Sequence, residues 1–420
     1  MRLPRFRLRG ALAHRDYLLF FSGQMVSQIG SWMQSVGQSW LILQLTDSPL
    51  KLGLISTLQF TPMLFFTLFS GAIIDRLPKR KVIIATQSLF MCLAFIMAFL
   101  VHTELVQYWH VAALALSLGI VNTFDLPARQ SFVVEMVGKA DLASAVAINS
   151  AVFNGARIVG PAIAGILIAK IGIAPAYFFN GLSFVAVIIA LTQIKAEGLP
   201  KGTTRGNMIQ QISEGLSFAW RTPILRFTIL LMLVIGTFVI NFQVLVPALA
   251  RQVLHQEAQG YGGLMSAMGA GALLGALVRA VQNRAHIRLR SLFMPATLLS
   301  GAAISMYFVH SMAIAAAVLF VIGFGMIQFL TGTNTKVQMA APDHLRGRVM
   351  SLYTLANSGT APIGSLYSGA VTEAFGAGTG FAVAGSLGIV SLTALAAYWW
   401  KSLRHKQVEE SPHLKPDPAA

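Results

Sequence analysis

Three charged side chains stand where the sequence gives them little water. Asp75 closes the run 52–74, which holds no charged residue, and Arg76, Lys79, Arg80 and Lys81 follow at once. Asp125 comes after the uncharged run 105–124 and precedes Pro127 and Arg129, while Arg157 is the one charge within 142–169. A carboxylate among cations can make and break ion pairs, and one in apolar surroundings can take up and release a proton. A guanidinium there is costly alone, so it holds either an anion or a structural partner. Ser150, Asn154 and Arg157 fall at i, i+4 and i+7 on one helical face, and Asp125 is the carboxylate best suited to pair with Arg157. Asp125 can instead form a cluster with Arg129 at the helix end.

A fourth group is uncharged. Gln24, Gln28, Ser31, Ser35 and Gln38 recur at i, i+4, i+7, i+11 and i+14, a polar face about 20 Å long on a helix. Amides left unsatisfied in hydrocarbon are expensive, so this face must meet water, a ligand or another helix.

Other chemistries lack their residues. The chain has no HExxH, GxSxG or CxxC motif and no GxxxxGK[ST] loop. The stretch GAGALLG at Gly269 has GxGxxxG spacing inside an apolar run, which suits helix packing rather than a dinucleotide. No enzymatic activity, cofactor or metal is expected, and any work done must draw on an ion or solute gradient. The single Cys92 excludes an intrachain disulfide.

The elements that must position these groups follow from composition. With 55% hydrophobic and 11% charged residues and a mean hydropathy of +0.67, the chain belongs in a lipid bilayer, where about 20 apolar helical residues make a span. Uncharged or nearly uncharged runs at 17–46, 52–74, 82–103, 105–124, 142–169, 171–194, 227–250, 258–278, 291–335, 349–372 and 374–400 give twelve spans, because 291–335 holds two helices hinged near His310. An even number places both termini on one side. On that side lie 27 of the 31 lysines and arginines, which makes it cytoplasmic by the positive-inside rule. The net charge of +16 is spread over short loops, so it serves orientation and anionic lipid rather than nucleic acid. The basic start, 1–15, leads into an uncleaved first helix.

The expected fold is therefore an all-α membrane protein of two six-helix halves, 1–194 and 224–400. Between them lies a loop, 195–223, with an amphipathic helix at 208–220, and a disordered cytoplasmic tail follows at 401–420. The halves resemble one another weakly: GLISTLQ at Gly53 recurs as GLMSAMG at Gly263. Paired six-helix repeats suit a carrier that rocks about a midplane site.

The stretch SGAIIDRLPKRK, 70–81, resembles the signature loop of the major facilitator superfamily, GxxxDRxGRR: Gly71, Asp75, Arg76, Lys79 and Arg80 match, and Pro78 replaces the inner glycine. The stretches LTDSPLKLGL, VPALARQVL, GYGGLMSAMGAGALLGALV and PDHLRGRVMSL look like the enterobactin-exporter and macrolide-efflux branch. The resemblance implies proton-driven export of a small hydrophobic or amphipathic molecule, a siderophore or drug, from a bacterial inner membrane by a monomer. It implies that Asp75 latches the second helix to the eleventh, whose start carries Arg346 and Arg348. It also implies that helices 1, 4, 7 and 10 line the cavity, which adds Asn122, Asn241, Gln243, Gln328 and Asn334 to the polar face of helix 1. ARIVGPAIAG, from Ala156, is similar to the antiporter signature GxxxGPxxGG at Gly160, Pro161 and Gly165, and close helix packing explains the same residues. A lysophospholipid carrier and a non-transporting receptor on the same fold are the alternatives.

Overall fold

The computed structural model describes residues 10–198, 208–281, 290–342 and 345–409. A short 3-10 turn at Gly10–Ala13 leads into thirteen α-helices, and no strand occurs among the described residues. They are α1 (Arg15–Thr46), α2 (Pro49–Ile74), α3 (Lys79–His102), α4 (Tyr108–Ile171), α5 (Ala174–Gln193), α6 (Met208–Arg221) and α7 (Pro223–Phe238). There follow α8 (Phe242–Gln252), α9 (Ala258–Val281), α10 (Arg290–Ser305), α11 (Met312–Ala340), α12 (Arg346–Phe375) and α13 (Ala377–Glu409).

Twelve membrane spans emerge from these. Eight segments are long and apolar enough to cross a bilayer by length and composition, α7 and α8 counting together as one. α4 is 64 residues long and holds two spans, and α1, α2 and α12, of 32, 26 and 30 residues, complete the set. A break at His310 parts α10 from α11, as the sequence suggests, and α6 lies where the amphipathic helix is expected.

Three departures have physical reasons. The polar stretch after Phe124 is helix and not a loop: α4 continues through Phe132, Val133, Met136 and Val137, which pack with Tyr17, Phe20 and Ile83. It breaks only at Gly138, whose φ of 68° a side chain would oppose. The seventh span, expected unbroken, divides between α7 and α8. Asn241 Nδ2 donates to the Thr237 carbonyl at 2.7 Å, replacing the backbone donor the break removes. α13 runs to Glu409, so 401–409 continue the helix instead of opening a disordered tail; no Gly or Pro intervenes before Pro412. The rest of that tail and most of the basic N-terminal arm lie outside the described residues, as does the loop after α9.

The two halves meet along two wings. α2 and α12 run antiparallel: Gly369 lies against Pro49 and Leu50, Gly53 against Ser365, Thr57 donates to the Pro362 carbonyl at 2.8 Å, and Leu64 reaches Gly359. On the other wing the second arm of α4 (139–171) packs on α9, where Gly165 meets Ala258 and Gln259, and Ser266 donates to the Ile158 carbonyl at 2.9 Å. The start of α1, the end of α5 and the loop after α2 share one end, since Asp16 accepts from the Lys195 and Ala196 amides and Gly198 accepts from Lys79 N. The start of α12 lies at this end too, by its antiparallel run beside α2. The end of α13 joins it, through Phe227 on Trp399 at the start of α7. We call it the terminal end.

The wings close only toward the opposite end. There Arg251 pairs with Asp47 at 2.8 Å, and Glu373 accepts from Ser48 Oγ at 2.9 Å and from the Leu50 amide, capping α2 across the gap between halves. Trp40 stacks on Tyr261. Toward the terminal end the α4 face that meets α9 is uncovered: Val146, Ser150 and Phe153 are exposed. A cleft thus opens at the terminal end.

Candidate functional site

Asp125 is fully buried, the one acidic residue that is so among the described residues. α3 brings Thr86 and Gln87 to it, and their side chains donate to Oδ1 at 2.6 and 3.0 Å. Arg129, one turn along α4, places Nε 2.7 Å from Oδ2, and its Nη1 donates to Gln24 Oε1 on α1 at 2.8 Å. Three helices are joined through one carboxylate. Gln24 Nε2 and Gln87 Oε1 remain buried without partners among the described residues, so the network has spare polar capacity.

Arg157 does not pair with Asp125, contrary to the first of the two sequence readings; Arg129 takes that place because a residue four along the same helix needs no second element. Arg157 is buried, with Nη2 3.6 Å from Met326 Sδ on α11 and the guanidinium 5.5 Å from the Trp32 ring centroid. Phe153 packs edge-on against Trp32. Asn154 turns to the Ser150 carbonyl at 2.8 Å and not to Arg157.

The polar face of α1 is divided. Its ends are bound, Gln24 to Arg129 and Gln38 to Gln59 Oε1 on α2 at 3.1 Å, while Gln28, Ser31 and Ser35 in the middle are at least partly exposed and without hydrogen bonds among the described residues. Asn122 and Gln243 are partly exposed, and Asn334 accepts from Gln338 at 2.7 Å. Gln328 and Asn241 are buried. Asn241 is no cavity residue here: it sits at the α7–α8 break against Gly364 of α12.

The loop 75–81 splits into two sets. Asp75 and Arg76 are exposed, and the Asp75 carboxylate has no partner among the described residues. Lys79 is buried, its Nζ 2.9 Å from Glu135 on α4, and Arg80 donates to the Leu191 and Thr192 carbonyls at the end of α5 at 2.7 and 2.8 Å. Across the cleft Arg348 pairs with Glu214 of α6, and Arg346 Nε donates to the Gln338 carbonyl at 3.2 Å. With the terminal end open, Asp75 and the start of α12 are apart.

Gly160 and Gly165 serve different neighbours. Gly160 admits Trp32 and the Ile29 carbonyl of α1, and Gly165 admits α9; the Pro161 carbonyl lies against Gly262.

Residues 11–419, which include both halves and every side chain of this site, match the family model described as transmembrane secretion effector. The chain belongs to this family of the major facilitator superfamily. It is 28% identical to the multidrug efflux pump Tap of Mycolicibacterium fortuitum over 86% of this chain and 90% of that one. Against the enterobactin exporter EntS of Escherichia coli O1:K1 / APEC the identity is 25%, over 92% and 94%. The crystal structure of the nucleoside transporter NupG superposes with a TM-score of 0.72 at 12% identity, covering 93% of this chain and 99% of that one, a likeness of fold. This member of the superfamily is a multi-pass membrane transporter.

One functional surface escaped the sequence reading. Gly23, Gly30 and Gly37 of α1 lie against Val187, Asn180 and Ala176 of α5, and between them Gln34 accepts from Asn180 Nδ2 at 2.6 Å. The heptad spacing of these glycines is visible in the sequence and marks the seam that holds the polar face in position.

Proposed function

We propose that this transporter exports small amphipathic organic molecules from a bacterial cytoplasm in exchange for protons, with its terminal end cytoplasmic. The excess of lysine and arginine at that end supports the orientation, and the efflux pump and exporter among its relatives support the direction. Asp125 is the observation that carries the coupling. A carboxylate shut away from solvent, held by Thr86, Gln87 and Arg129, must change partners when it gains a proton. Protonation weakens its hold on Arg129, which remains on Gln24, so α1 registers the proton. Substrate enters from the terminal end and meets the free middle of the α1 face, Gln28, Ser31 and Ser35, with Asn122 nearby on α4. In the opposite conformation Asp75 docks at the start of α12, where Arg346 and Arg348 and the helix N-terminus favour a negative charge.

Accumulation of a fluorescent amphipathic anionic dye tests this reading in cells expressing the wild type or Asp125→Asn, with and without a protonophore. Lower accumulation in the wild type, lost in the variant at equal protein level and lost with the protonophore, is the expected result. Accumulation equal to that of empty cells removes dye efflux, and efflux that survives both the variant and the protonophore removes proton coupling.

A further inference from the structure

Arg157 has a charge and donors that the described residues leave without a match. Of the five N–H groups of its guanidinium, the described residues engage only an Nη2 donor, and the acceptor is a thioether sulfur, a weak one; Nε is buried with no partner. No acid pairs with it among the described residues. Asp125 is neutralised by Arg129 and Glu135 by Lys79, so among the described residues the interior of the N-terminal half keeps one net positive charge, at Arg157.

Its position explains what could supply the missing charge. The face of α4 that α9 covers from Arg157 to Gly165 is bare at Val146, Ser150 and Phe153. Arg157 therefore stands where the halves part, at the head of the cleft. Gly269 of α9 lies against its carbonyl, and Met326 of α11 reaches its guanidinium, so both halves touch it. The guanidinium lies over the Trp32 ring, Trp32 packs against the exposed Phe153, and Ser31, exposed and without a hydrogen bond among the described residues, is the residue before Trp32.

We propose that Arg157 is the docking point for the anionic group of the substrate, and that the substrates are organic anions with an aromatic or apolar body. The oxyanion takes the free donors of the guanidinium, and the body replaces Phe153 on the face of Trp32. The proposal deepens the export reading by naming the substrate class, and it rests on that reading only in taking the cleft as the substrate path. A cationic drug would be repelled at this point, and a neutral one would leave the charge unmet.

The test uses purified full-length protein in detergent, so neither proton coupling nor direction of transport enters the result. The probes are radiolabelled 1-naphthoate and 1-naphthamide, which share a body and differ in charge. Wild type should bind naphthoate at least about tenfold more tightly, the effect of one charge-assisted hydrogen bond. Arg157→Gln should bind the two alike, and Arg157→Lys should fall between. Equal affinity of wild type for both probes, binding of neither up to millimolar concentration, or an undiminished preference in Arg157→Gln would overturn the proposal. Should the variants fail to fold, phenylglyoxal modification of Arg157 in the wild type decides: naphthoate should protect it and naphthamide should not, and equal protection overturns the proposal. Dye efflux lost with Asp125→Asn while naphthoate binding persists would separate coupling from recognition.

Discussion

Replacing Asp125 and Arg129 singly and together separates a proton carrier from a structural strut. Asp125→Asn keeps one acceptor for Thr86 or Gln87 but leaves Arg129 facing a neutral amide. Removing one partner of a buried pair costs about 3–5 kcal/mol. The Arg129 side chain is 20% exposed and keeps Gln24, which places the loss near the lower bound, about 3 kcal/mol. Arg129→Gln leaves a carboxylate of zero exposure without its cation and should cost more, about 4 kcal/mol. The double variant has no charge left at this pair and should recover about 2–3 kcal/mol of the summed loss, the coupling expected for groups in direct contact. Denaturant unfolding of the four proteins in detergent measures these values. Proteoliposomes with an imposed pH gradient measure the consequence: all three variants should lack gradient-driven flux, including the one whose stability has returned. Gradient-driven flux in Asp125→Asn/Arg129→Gln would refute the assignment of the proton to Asp125, and losses that simply add would refute the pairing.

Asp75→Asn should leave the unfolding transition in place, because the carboxylate has no partner among the described residues, and lower flux at least about tenfold; unchanged flux removes the latch. Lys79→Met should destabilise by about 3 kcal/mol through the stranded Glu135, and Lys79→Met/Glu135→Leu should restore most of it, both read from unfolding midpoints. Glu373→Ala removes the carboxylate that caps α2 across the far end and should cost about 1 kcal/mol, with a raised rate of labelling at a cysteine introduced at that end in a background with Cys92 replaced; a labelling rate equal to that of the same cysteine with Glu373 intact would dismiss the cap as a closure. Asp47→Ala should change stability by less than about 1 kcal/mol, since that pair with Arg251 is well exposed, and a larger shift would mark it as the main lock.

The spans were legible because hydrocarbon admits few charges, and the runs without them delimit helices to within a few residues. What those runs hide is helix beyond the bilayer. The first arm of α4 continues past Asp125 to Val137 because Phe132, Val133 and Met136 find apolar partners at the terminal end, and a polar stretch gives no hint of that packing. Side-chain polarity also fails to tell a cleft from a helix seam. Asn241 and Gln34 have the same chemistry as Gln28, yet they satisfy a backbone break and a neighbour on α5, and only the helix pairing shows which is which. The loop 75–81 illustrates the same limit: one motif supplies both Asp75, which waits exposed, and Lys79 and Arg80, which fasten their own half.

The contacts between halves carry a last consequence. At Gly53 and Gly369 on one wing, and at Gly165 and Gly262 on the other, the nearest atoms across the seam are backbone. Surfaces joined by interlocked side chains must disengage before they turn, each step passing over a barrier of overpacked contacts. Smooth surfaces roll. At these points the wings act as bearings rather than gears, so the resistance to rocking falls on the polar contacts between the halves, from Thr57 and Ser266 along the wings to Glu373 and Arg251 at the far end, and whatever drives the rocking need only outweigh those.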